Sequence, residues 1–259
     1  MSSKSSTPIP FFKRFNFGWI IPLFIRPRKT IKEIVEHEKA VWLTPLLILS
    51  ILVVLSVLIG APIQRNLIQM GSTTPPNFEY YSPEMQEQFF AGQAQQTSPL
   101  FLYLFPLLSG LLRVWFPWFL LSILMYLSLT LAGSRAGSMR AYNLVGWSML
   151  PFAIRMVVQI LVMLFTKTAV TSSGLSGFID SSATGMAAYF RGLLGYIDIY
   201  FIFQIVLLLL GSVPLSGLTR SKAWMATAIS ILILLLLVGI PNLLSAALGG
   251  LNMTGGFYF

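Results

Sequence analysis

Three ionisable side chains stand inside apolar stretches of this sequence: Arg113, Arg155 and Asp198. A charge in hydrocarbon is costly, so such residues pair with one another, face water or line a solute path. Two chemistries fit them. One is an Arg–Asp clamp between helices, with any remaining arginine snorkelling towards lipid headgroups. The other is an intramembrane polar site of the kind a small transporter or permease uses. Other chemistry is hard to find. Cysteine is absent, which excludes disulfides, thiol catalysis and Cys-based metal sites. The single histidine, His37, cannot build a His-based metal site alone, and HExxH, P-loop and GxSxG patterns are missing. His37 reads as a polar-face residue of a basic helix. Ser109, Ser122, Ser128 and Ser148 lie in apolar segments that offer no His or Lys as a base, and such serines serve helix packing. No catalytic residue, metal or cofactor is expected, and the chain does not read as an enzyme.

The elements that would position the trio follow from composition. Of 259 residues, 56% are hydrophobic and 10% charged, whereas soluble domains are nearer a quarter charged. Lipid is the solvent that so much apolar surface requires. The fold class is therefore all-α and polytopic, because a helix satisfies its own backbone in hydrocarbon. About twenty apolar residues span the core, and five stretches qualify: roughly 41–63, 114–133, 142–166, 193–215 and 224–248. Residues 100–112 extend the second span or re-enter the membrane, with Pro106 and Pro117 as bends. Arg65 ends the first span. The polar loop 64–98 has room for a short helix near 83–91. On this plan Arg113 and Asp198 lie roughly 30 Å, and Arg155 roughly 20 Å, from the basic-turn ends of their spans, so all three belong to the half of the membrane away from those turns.

Ahead of the first span lies a segment of two parts. Residues 17–25 are an aromatic, apolar run read as an interfacial anchor. They are followed by RPRKTIKEIVEHEKAVW, where Thr30 and Glu33 form a capping box. There Ile31, Ile34, Val35, Val41 and Trp42 share one helical face. This predicts an amphipathic helix on the membrane surface leading into the first span, or a soluble-facing helix extension. The domain reading is thus a cytoplasmic N-terminal segment 1–40, a five-span membrane domain 41–248 and a short tail 249–259.

Orientation follows from the Lys/Arg bias. With the N-terminus inside, residues 1–40 contribute eight Lys/Arg, and the turns at 134–141 and 219–222 two each. The opposite side holds Arg65, Lys167 and Arg191 only. This asymmetry predicts a cytoplasmic N-terminus and an external C-terminus. It also gathers Arg135, Arg140, Arg220 and Lys222 into a cytoplasmic basic face suited to anionic lipid or an acidic partner. The net charge of +9 is therefore assigned to the membrane surface, and nucleic acid is not expected as a partner.

Four segments carry a family resemblance: 26–30 with its helix ahead of Trp42 and Pro45; 133–140 (GSRAGSMR) leading to 146–151 (GWSMLP); 197–200 (IDIY); and 215–223 (LSGLTRSKA). In order and placement the chain resembles the Yip1 domain family from about residue 22 to 237. The resemblance implies a five-span helical domain with a cytoplasmic N-terminus and no catalytic residues. Only about 40 residues precede the first span, so the chain is similar to the compact bacterial branch. That implies the bacterial cytoplasmic membrane and a scaffold or accessory role beside another membrane protein, an ABC exporter among the partners suggested.

Overall fold

The computed structural model describes residues 15–71, 78–168, 174–180, 183–241 and 243–244. Every regular element among them is helical. Expectations for residues 1–14, the far end of the fifth span and the tail 249–259 lie outside the described residues.

A 3-10 turn, Phe17–Trp19, leads into α1 (Ile20–Ile25) and then α2 (Pro27–Glu36). Pro27 takes the first position of α2, where a missing N–H costs nothing and the fixed φ suits a helix. The helix therefore starts ahead of Thr30, and the capping box does not form. Thr30 lies within the helix and donates its hydroxyl to the Arg26 carbonyl at 3.1 Å. The amphipathic pattern is present, but protein and not lipid covers its apolar face. Thr30, Ile31, Ile34 and Val35 are buried, packed against α6 (Ser138–Ser148) and α9 (Ile199–Ser216). Protein is the better partner because helix packing supplies close dispersion contacts as well as exclusion of water.

Among the described residues, five helical stretches are long and apolar enough to cross a membrane. The first, α3 (Leu43–Gly71), continues past Arg65, because one long cation does not break a helix and leaves it only by reaching outwards. The second is continuous from Leu100 to Leu131. A π-turn at Leu100–Leu104 runs into α5 (Phe105–Leu131), so residues 100–112 extend the span and do not re-enter. At 32 residues this stretch is roughly 48 Å long, well over the ~30 Å core. It must tilt or project. Between α3 and the second stretch lies α4 (Pro83–Gln96), opened by Ser82, whose hydroxyl accepts from the Met85 N–H.

The third stretch starts at Ser138, earlier than residue 142, and breaks at Met149 into α6 and α7 (Leu150–Thr166). Pro151 falls in the first turn of α7, where proline restarts a helix more easily than it continues one. The fourth differs most from expectation. Residues Gly185–Tyr196 form a separate helix, α8, and the span itself is α9, from Ile199. Asp198 caps the new helix, accepting from the Phe201 N–H at 2.8 Å. A β-region residue with a side-chain acceptor there starts a helix more favourably than it continues one. Gly217, at φ 66°, ends α9, and α10 (Arg220–Val238) starts from Arg220, ahead of residue 224.

Small residues set the packing. A Cβ on Gly211 of α9 would come within 2.7 Å of Ile31 Cγ2, and one on Gly146 of α6 within 2.8 Å of Trp42 Cβ. Both let helix axes approach as membrane interfaces favour. The core joins α1, α2, α3, α5, α6, α7, α9 and α10 in one cluster centred on Trp147, Leu144, Leu121 and Met125. The turns α5–α6 and α9–α10 lie together at one end of the bundle, here the turn end, where the Ser134 hydroxyl donates to the Ser216 carbonyl at 3.1 Å.

Candidate functional site: a buried ion pair and an asparagine clamp

Asp198 and Arg155 meet. Arg155 Nη1 donates to Asp198 Oδ2 at 2.9 Å, with 24% and 13% of the respective side chains exposed. The other carboxylate oxygen takes the Phe201 N–H. Both oxygens are thus engaged, one across helices and one within α9. The break between α8 and α9 frees the N-terminal amides of α9, so the carboxylate also lies at the positive end of a helix dipole. The Arg155 guanidinium lies over the Phe152 ring at 5.1 Å, a cation–π contact that offsets part of its desolvation. Its Nε is buried without an acceptor among the described residues.

Arg113 belongs to the same neighbourhood. It lies on an exposed side of α5 and is electrostatically coupled to Tyr196 and Arg155. Tyr196 closes α8, outside the spans. Burial pushes its phenol up to about 12, against the pull of Arg155 and Arg113 and with a smaller push from Asp198. Asp198 and Arg113 each lie roughly 27 Å along their helices from the turn end, and Arg155 roughly 25 Å. The start of α6 at Ser138 brings Arg155 closer to the level of the other two than the sequence spacing implied.

A second polar centre lies nearer the turn end, on Asn143 of α6. Its Oδ1 accepts from the Val41 and Trp42 amides at 3.0 and 3.2 Å. Its Nδ2 donates to the His37 and Lys39 carbonyls at 3.0 and 2.9 Å. The side chain is fully buried. Four backbone groups of the connector 37–42, which no helix satisfies, are thus paired by one amide. Trp147 adds a fifth bond, from its indole N–H to the Val41 carbonyl at 3.0 Å. Trp42 then packs on Trp118 at 4.4 Å. A reading confined to ionisable groups overlooks Asn143. The signal was available, because a lone amide in an apolar span needs partners much as a charge does. Gln204, buried in α9, is a second such residue, and its Oε1 meets no donor among the described residues.

The model of the Yip1 domain matches residues 21–240. The chain belongs to the Yip1 domain family. No curated protein and no solved structure matches it. With five apolar helical stretches, this Yip1 member is a multi-pass membrane protein. Its resemblance segments coincide with the breaks and turns just described. Residues 26–30 open α2, 133–140 make the α5–α6 turn, 146–151 the α6–α7 break, 197–200 the α8–α9 break, and 215–223 the α9–α10 turn. Breaks are where one residue type decides geometry, whereas span interiors accept many apolar sequences.

The basic residues of this Yip1 member divide by partner. Arg140 Nη2 reaches Glu38 Oε1 at 3.4 Å, an exposed pair of little energetic weight. Arg220 stacks on its neighbour Trp224 at 4.0 Å. Arg135 and Lys222 are exposed. The hydrogen bond between Ser134 and Ser216 holds the two turns side by side, so all four cations stand at one end of the bundle.

Proposed function

We propose that this Yip1 member is a non-catalytic scaffold or accessory subunit. It holds another membrane protein through helix packing and the basic face of Arg135, Arg140, Arg220 and Lys222, with its N-terminus in the cytoplasm. The observation that carries the reading is the closed state of Asp198. Both its oxygens are engaged, by Arg155 and by the Phe201 amide, as suits a strut between α7 and the α8–α9 break and not a carboxylate waiting for a solute. The skew of cations towards the turn end supports the orientation. An ABC exporter is the partner class suggested by analogy with compact family members, and analogy of fold is its only support.

The test is affinity purification from native membranes in mild detergent. A stoichiometric membrane-protein partner is expected, and reversing Arg135, Arg140, Arg220 and Lys222 to Glu should lower its recovery about tenfold with the unfolding midpoint unchanged. Solute flux by the purified protein alone in liposomes, abolished by Asp198→Asn, would replace this reading with that of a small permease.

A further inference from the structure

The N-terminal elbow carries an arrangement that neither the ion pair nor the basic turns absorb. Phe17, Ile21 and Ile25 recur every four residues and form one stripe, 53%, 69% and 69% exposed. The rest of this short segment is docked on protein. Leu23 is fully buried, Trp19 meets Trp147 and His37 edge-on at 5.5 and 5.0 Å, and Phe24 packs on Phe203 of α9 at 5.7 Å. The stripe is thus held rigidly outwards beside a span. On that span the neighbours of Phe203 at the bundle surface are Ile202 and Val206, 57% and 42% exposed. Apolar surface therefore runs from a lipid-facing span onto α1. Immediately after Ile25 come Arg26, Arg28 and Lys29, all exposed, none in an ion pair with a described residue.

We infer that this elbow is a binding site for a phospholipid with an anionic headgroup. The acyl chains lie along Phe17, Ile21 and Ile25, and the phosphate is held by Arg26, Arg28 and Lys29. Apolar contact alone would take any lipid, and three cations alone would take any phosphate. Their adjacency at the α1–α2 break selects a molecule that is both. A cation near an anionic surface contributes about fivefold in affinity; a zwitterionic lipid carries the same phosphate but adds a quaternary ammonium that the three cations repel, so a preference of roughly fivefold or more for the anionic headgroup is expected. The site stands whether or not a protein partner exists, since it uses none of the four cations of the turns.

The experiment takes the full chain, stripped of lipid in a neutral detergent. Phosphatidylglycerol, phosphatidylcholine and inorganic phosphate are titrated, with bound lipid read by native mass spectrometry. Phosphatidylglycerol should bind with the preference given above, and inorganic phosphate should not displace it. The variant R26Q/R28Q/K29Q should lose the preference while retaining both lipids weakly, I21S/I25S should lose both lipids, and R65Q/K167Q, exposed cations remote from the elbow, should change neither. A photoactivatable residue at Ile25 in the otherwise unaltered chain should crosslink to phosphatidylglycerol, a readout that survives poor folding of the charge variant. Equal binding of the two lipids, or a preference unmoved by R26Q/R28Q/K29Q, overturns the site. Displacement by inorganic phosphate at equal concentration overturns the lipid assignment.

Discussion

Replacing Asp198 by Asn isolates the charge of the Arg155–Asp198 pair. Asparagine is nearly the same size and ranks with aspartate as a helix N-cap, so the bond from the Phe201 amide survives. What goes is the counter-charge of Arg155, whose side chain is 24% exposed and whose Nε is already without an acceptor among the described residues. Removing one partner of a buried pair costs about 3–5 kcal/mol, much of it the penalty of the stranded charge. Partial exposure here places Asp198→Asn below that range, at about 2–3 kcal/mol. Asp198→Ala removes the cap as well and should cost about 1 kcal/mol more. The double change Asp198→Asn with Arg155→Leu leaves nothing stranded and should recover part of the loss. Unfolding by a denaturing detergent, titrated into a fixed mild detergent, measures these three variants and Arg155→Leu alone on one scale. Additivity of the two single changes to within about 0.5 kcal/mol would refute the coupling and the strut with it.

Asn143→Leu keeps the volume and strips partners from two amides and two carbonyls of the connector 37–42. At about 1–3 kcal/mol per buried unsatisfied group, less what water recovers, the loss should exceed about 3 kcal/mol, with faster amide exchange at Val41 and Trp42 as the local signature. Gly211→Val should cost about 1–3 kcal/mol by overpacking, since its Cβ would press on Ile31, and Ile31→Ala should relieve part of it in a double variant. Reporter fusions after Gln96, Ser138 and Lys167 should read outside, inside and outside, and an inverted pattern would overturn the cytoplasmic N-terminus.

Span count and a pairing of Asp198 with an arginine were legible in the sequence, because length, hydropathy and the cost of a lone charge act without tertiary detail, but Arg155 and Arg113 stood equal as the partner and packing chose Arg155. Boundaries were less so. The start of α9 at Ile199 depends on Asp198 acting as a cap, and nothing in an apolar run containing one aspartate separates a capping position from a mid-helix one. The first turn of α2 was misread because Thr30 and Glu33 satisfy the capping pattern as well as Pro27 satisfies the first helical position. Proline prevailed by needing no hydrogen bond there. What covers α2 was not legible at all. An amphipathic helix shows the same pattern against lipid and against α6 and α9. Asn143 was legible in type but not in role, since its four partners lie about a hundred positions earlier in the chain.

That distance has a consequence for how the molecule is made. The connector leading into α3 leaves the ribosome well before the residue that fastens it. At about 5–20 residues per second, the hundred or so intervening positions take roughly 5–20 s to synthesise. Through that interval the Val41 and Trp42 amides have no Asn143 to bond, and α2 has neither α6 nor α9 beside it. Helix α2 must wait with its apolar side uncovered, a target for insertion factors or for the lipid surface, until two later spans arrive to claim it.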